Sequence, residues 1–255
     1  MKHTRQKSNG MKRHMLLLPV FLVAVVALVF TMRGTASAWE TIELDEAEVF
    51  IEWNSTDDDY GIQFFWDGEP WRKMRVRNTR GKKVLDVRTR KNLREQGLTE
   101  GFFESAEPDT SEVTMEEFLE RFPEGEYTFR GTSNERDRLV GEAEFTHTLP
   151  APPENLSPAA GDVMSNAGFT VSFNAVTEDT DGSPIDIEYY EVVVEKEDDE
   201  PILQTFKVIL PPGQTSVFVP GEFLEANTEY KLEVIAVEES GNKTITETDG
   251  LFTTN

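Results

Sequence analysis

From Trp39 to His147 the chain alternates apolar and polar residues in short runs. In EVFIEW, Val49, Ile51 and Trp53 fall on one side and Glu48, Phe50 and Glu52 on the other. GIQFFW places Phe64 and Trp66 opposite Phe65, and WRKMRVRN sets Met74 and Val76 against Lys73, Arg75 and Arg77. A period of two predicts half-buried strands. DGEP and the Arg80-Gly81 pair supply turns between them. GEYTFRGT and RLVGEAEFTHTL read as a last hairpin. One segment changes period. In TMEEFLERFP, Thr114 stands as N-cap with Glu117 three residues on, a capping box. Met115, Phe118, Leu119 and Phe122 share one face and Pro123 stops the run, so a short helix is predicted over 114–122. A two-sheet, immunoglobulin-like sandwich with one short helix is the expectation for this half.

The second half opens on LPAPPENLSPAAG, with prolines at 150, 152, 153 and 158 that mark a stiff linker. Strand patterns follow. Phe169, Val171 and Phe173 alternate, as do Tyr190, Val192 and Val194, then Tyr230, Leu232, Val234 and Ala236. Short strands with Gly, Pro, Asn and Asp between them predict a β-sandwich. Residues from about 152 to 254 resemble a fibronectin type III domain. The resemblance rests on the Pro-rich opening with Leu156 and Pro158, on VSFNAV and IEYYEVVVE, and on VPGEFLEANTEYKLEVIAVEESGN. It implies that the Tyr230 hydroxyl bonds back to the backbone at a sheet corner. Phe173 stands where the family has tryptophan, which implies a smaller core there. The resemblance implies a spacer or binding module. The late loop reads EESGNKT and carries no Arg-Gly-Asp tripeptide. In the first half, GLTEGFFESAEP and RFPEGEYTFRG are similar to stretches of uncharacterised secreted bacterial proteins, which implies no activity.

The first residues change the compartment. Lys2, Arg5, Lys7, Lys12 and Arg13 precede an apolar run from Met15 to Phe30, and TMRGTASA ends in small residues. That order is a secretory signal peptide over residues 1–38, with cleavage expected after Ala38. The run of 16 residues contains Pro19 and is short of the roughly 20 a spanning helix needs. The expected organisation is therefore 1–38 signal peptide, 39–149 immunoglobulin-like sandwich and 150–255 fibronectin type III domain, an all-β protein with two sandwiches in tandem. Export through the general secretion route to a periplasm or exterior follows. The absence of cysteine excludes a disulfide-stapled module.

Removal of residues 1–38 leaves 19 basic and 48 acidic residues, a formal charge of −29. So acidic a surface excludes nucleic acid as partner. It makes divalent cations plausible ligands. Between Arg72 and Arg94, however, 11 basic residues stand against one acid, Asp86. This hairpin either neutralises acids of neighbouring strands or docks an anion such as an acidic glycan, a lipopolysaccharide phosphate or an acidic protein. Trp66, Trp71, Arg75 and Arg77 are the candidate ligand-binding set, because tryptophan faces stack on sugar rings and arginine pairs with anions. In NSTDDDYGIQFFWDGEPW, Asp57, Asp59 and Asp67 are candidate calcium ligands; in EDTDGSPID, Asp179 and Asp181 are. Polar turns explain the same residues.

Catalysis has little to work with. His147 is the one histidine after residue 38, and no Gly-x-Ser-x-Gly motif is present. Carboxylate-based glycoside hydrolysis is an alternative only because acids are abundant. The function expected is an exported, non-enzymatic binding or adhesion protein, with the first domain engaging a glycan or protein partner at the cell envelope and the second as spacer. The other alternative is a structural part of an envelope or matrix assembly without a small ligand. No cofactor is expected beyond calcium.

Overall fold

A computed structural model describes residues 39–197 and 204–255. The signal peptide expected over 1–38 lies outside them. Among the described residues no helix is long and apolar enough to cross a membrane.

In the first half the alternating runs form β1 (Thr41–Glu43), β2 (Glu46–Asn54), β3 (Asp59–Asp67), β4 (Trp71–Arg77), β5 (Lys83–Arg88), β6 (Gly101–Glu104), β7 (Gly125–Ser133) and β8 (Arg138–Phe145). One sheet runs β1-β8-β7-β4-β5, and β2-β3-β6 covers it. Val49, Ile51, Phe64, Trp66, Met74 and Val76 face inward, the parity expected from the pattern. The helix forms as α2 (Met115–Arg121), after α1 (Lys91–Gln96). Its capping box is complete: the Glu117 N–H donates to Thr114 Oγ1 at 3.2 Å and the Thr114 N–H to Glu117 Oε2 at 3.3 Å. Phe118 anchors it, edge-on to Tyr60 with ring centres 4.9 Å apart. Helix α1 is an addition to the one helix expected. KNLREQ buries no residue and is too short to show an apolar face.

The second half contains β9 (Val163–Met164), β10 (Gly168–Ser172), β11 (Ile187–Lys196), β12 (Thr205–Leu210), β13 (Ser216–Pro220), β14 (Glu229–Glu238), β15 (Lys243–Glu247) and β16 (Phe252–Thr254). Strands β10 and β13 pair across a core from β12-β11-β14-β15. The Tyr230 hydroxyl accepts a hydrogen bond from the Glu225 N–H at 2.8 Å, the corner foreseen from the sequence. Phe173 packs edge-on against Tyr190 at 4.9 Å.

The two halves repeat one topology. Strands β3, β4, β5, β6, β7 and β8 pair among themselves as β10, β11, β12, β13, β14 and β15 do. In the first half the fourth strand of the sandwich, β5, lies beside β4 rather than beside β6. That departs from the four-plus-three strand order of a constant-type immunoglobulin domain.

The halves do not meet through a free linker. Strand β15 pairs in parallel with β2, matching Lys243 with Glu52 and Ile245 with Asn54, so one nine-stranded sheet runs through both. The described residues from Glu40 onward form one compact unit. The fully buried Asn242 ties the join. Its Oδ1 accepts from the Ile51 N–H at 2.8 Å, and its Nδ2 donates to the Thr148 carbonyl at 2.9 Å and the Thr146 carbonyl at 3.1 Å. Thr244 Oγ1 donates to the Pro150 carbonyl at 2.7 Å. The loop EESGNKT therefore sits inside this junction rather than presenting itself to a partner.

Candidate anion-binding site

The β4–β5 hairpin is closed by Asn78, whose Oδ1 accepts from the N–H groups of Arg80 at 3.1 Å and Lys82 at 3.0 Å. Gly81 takes a φ of 71°, which a side chain would disfavour. Along the strands four cations converge on Asp86: Lys83 at 2.8 Å, Arg75 at 3.4 Å, Arg88 at 3.6 Å and Lys73 at 3.8 Å. The hydrogen bond from Lys83 holds the Asp86 carboxyl below its usual range, helped by the charges of Lys73, Lys83 and Arg75 and opposed by burial. Lys73 is pulled down, first by burial and then by the like charges of Arg75 and Arg88. One carboxylate serves four cations. Among the described residues Arg72, Arg77, Arg80, Lys82, Arg90, Lys91 and Arg94 pair with no carboxylate, and no acid of a neighbouring strand or of the second half reaches this hairpin.

Where β5 ends, the Thr89 N–H donates to the Arg72 carbonyl at 3.0 Å. The chain then turns through Lys91, at a φ of 50°, into α1. Asn134 Nδ2 holds the far end of α1 by the Arg94 carbonyl at 2.8 Å. The result is a groove of about 490 Å³ lined by Arg72, Lys73, Arg88, Thr89, Arg90, Lys91, Arg94 and Thr132. Six of these eight are cations and none is an acid. Thr89 is only 6% exposed, and its Oγ1 has no hydrogen-bond partner. A buried hydroxyl without a partner is uncommon and costs about 1–3 kcal/mol. Guanidinium groups and a free hydroxyl suit the oxygens of carboxylate, sulfate or phosphate.

The candidate residues from the sequence are redistributed. Trp66 and Trp71, 0% and 1% exposed, are core residues and not sugar platforms. Trp66 stacks on Phe103 at 5.2 Å, and Trp71 Nε1 donates to the Thr99 carbonyl at 3.2 Å. Aromatic surface of that size is worth more buried than displayed. Arg75 is bound to Asp86, and Arg77 Nη1 donates to the Gly81 carbonyl at 2.8 Å within its own turn. The exposed tryptophan–arginine patch does not exist; the cations of the same hairpin gather at its other end.

The aspartates do not assemble into calcium loops either. Asp67 Oδ1 accepts from the Gly68 N–H at 2.7 Å, at the opposite end of β3 from Asp59. Eight strand steps at about 3.4 Å put them roughly 27 Å apart. Asp57 accepts from Asn54 Nδ2 at 3.2 Å. Asp179 Oδ1 accepts from the N–H groups of Asp181 at 2.9 Å and Ser183 at 2.8 Å, closing a turn, and Asp181 is exposed. Among the described residues the carboxylates that do gather are Glu52, Glu104 and Glu107. Burial foremost, then the charges of Glu52, Glu104 and Asp59, pushes Glu107 up to about 7. His147, the one histidine after residue 38, has Nε2 2.7 Å from the Phe122 carbonyl, and among the described residues no hydrogen bond joins it to a serine.

No protein-family model matches the chain, and no curated protein matches its sequence. Solved structures similar to it include the FN1–FN3 domains of chicken CNTN1, at 14% identity and a TM-score of 0.38, covering 85% of this chain and 66% of that one. A two-domain fibronectin type III segment of chicken tenascin is 12% identical with a TM-score of 0.30, covering 82% and 97%. The FN5 domain of Drosophila Lar is 18% identical with a TM-score of 0.26, covering 40% and 98%. The chain thus spans slightly under two thirds of the CNTN1 segment. The second half has the fibronectin type III fold. Its own strand order and the Tyr230 corner carry that statement.

Proposed function

We propose that this is an exported, non-catalytic binding protein whose first half holds an acidic glycan in the groove between β5 and α1. The observation that carries the reading is the lining: six cations, no acid, and a buried Thr89 hydroxyl without a partner. A local positive groove on a chain of charge −29 serves an anion better than a neutral ligand. The guanidinium groups of Arg72, Arg88, Arg90 and Arg94 offer paired N–H donors to uronate or sulfate groups. The second half, joined through a continuous sheet, acts as a rigid platform rather than a swinging spacer. Export rests on the leader-like N-terminus, and absence of catalysis on the missing cysteine and the engaged His147.

Titration with a sulfated or uronic acid polysaccharide tests the reading. Arg72→Ala and Arg94→Ala should each weaken binding several-fold without changing the melting temperature, since both side chains lack partners in the fold. Thr89→Val separates ligand from structure: it should weaken binding while leaving the free protein as stable or slightly more so, because the unpartnered hydroxyl is gone. Undiminished binding in all three variants rules out the groove. Binding to anionic phospholipid vesicles but to no glycan would replace the glycan with a membrane surface.

A further inference from the structure

The geometry points to a site for one hard divalent cation of the calcium class on the outer face of β2-β3-β6, formed by Glu52, Glu104, Glu107 and the amide oxygen of Gln63. The register builds it. Glu52 lies opposite Gly61 on β3, and Gln63 lies opposite Glu104 on β6. Gly61 leaves a gap that Glu107 fills: a Cβ there would stand 2.9 Å from Glu107 Cγ. Three carboxylates from two strands and a loop thereby bring one oxygen each within 4.8 Å of one another. Oxygens bound to a single calcium at about 2.4 Å lie no farther apart than that.

Repulsion makes such a cluster unfavourable without a counter-charge. Lys243 supplies part of one, with Nζ 2.5 Å from Glu52 Oε2. Asp59 adds a further negative charge nearby. One ammonium against these carboxylates leaves the face negative. A second, independent observation is Gln63. It is 2% exposed, and its Nε2 donates to Glu104 Oε1 at 2.8 Å. Its Oε1, on the same amide carbon, is buried and has no donor. The amide that carries this oxygen is tied to Glu104 of the cluster, so a cation held by the carboxylates would give it the partner it lacks. Oxygen-only donors, with Glu104 and Glu107 exposed and so open to water, favour calcium over magnesium, which demands a regular octahedron.

The test is calcium titration of residues 40–255, followed by calorimetry and by thermal melting at neutral pH. Wild type should bind one calcium, in about the 10⁻⁴–10⁻³ M range of extracellular modules, and melt higher with it. Glu107→Gln should weaken binding at least about tenfold, about 1.4 kcal/mol, and raise the calcium-free melting temperature slightly, because it relieves the repulsion in the cluster. Gln63→Met should weaken it while keeping the side-chain volume. Glu116→Gln, an exposed acid on α2, controls for diffuse attraction by a chain this acidic. No saturable binding by wild type, or equal losses in the Glu107 and Glu116 variants, overturns the site.

Discussion

The junction between the halves is the part of the fold most exposed to a single substitution, and Asn242→Ala is the perturbation that probes it. Asn242 is fully buried, and its amide ties two other chain segments, one at Ile51 and one at Thr146–Thr148. Truncation leaves the Ile51 N–H, itself on a fully buried residue, without an acceptor, a loss of about 1–3 kcal/mol. The Thr148 and Thr146 carbonyls lose their donor, for about 1 kcal/mol more. The expected loss is about 3 kcal/mol, read in urea as a lower midpoint with an unchanged slope. Asn242→Asp keeps an acceptor for Ile51 but turns a carboxylate oxygen toward both carbonyls, so it should destabilise at least as much. Wild type should unfold in one transition, because the sheet is continuous across the join. A loss below about 1 kcal/mol for the alanine variant, or an aspartate variant as stable as wild type, would show that the Asn242 amide does not hold the join.

Other consequences can be measured alongside. Tyr230→Phe should lose about 1 kcal/mol with its bond to Glu225, whereas Tyr127→Phe should be neutral or stabilising, because the Tyr127 hydroxyl is buried without a partner. Burial pushes Tyr127 up to about 12, so its phenol stays protonated in the fold while it ionises in the unfolded chain. Wild type should therefore lose stability as pH rises from about 10 toward 12, and the phenylalanine variant should lose less. Gly101→Ala places a Cβ 2.2 Å from the Trp66 ring and should cost about 1–3 kcal/mol in chemical denaturation, the range for an overpacked core. Asp86→Asn should tighten polyanion binding by removing the hairpin's one acid. Because the Asp86 carboxyl is held low, its stabilising contribution is present above about pH 4 and lost as pH falls below that. The stability gap between wild type and variant should close in the same window.

Much of the fold was legible because local signals agreed with the final packing. The period-two faces gave the core of both halves, Thr114 and Glu117 gave the cap of α2, and Tyr230 gave the corner. What was not legible depends on pairing between distant segments. Nothing in EESGNKT separates a junction from an exposed polar turn; only the pairing of β15 with β2 does. The acidic cluster was invisible for the same reason, since Glu52, Glu104 and Glu107 meet through the register of three strands. The charge count did identify the basic hairpin. It pointed to Arg75 and Arg77 because they share a strand face. The groove instead lies at the strand's end, where α1 carries Lys91 and Arg94 back toward Arg72. Trp66 and Trp71 failed as a sugar platform because an inward face of a sandwich must be filled, and they fill it.

The most direct measurement is binding of residues 40–255 to an array of neutral and acidic glycans at low and moderate salt. Acidic glycans should be retained selectively, less so as salt screens the groove, and the Arg72→Ala, Arg94→Ala double variant should lose that retention. Retention of neutral glycans, or acidic binding that survives in the double variant, would rule out the groove as the binding site.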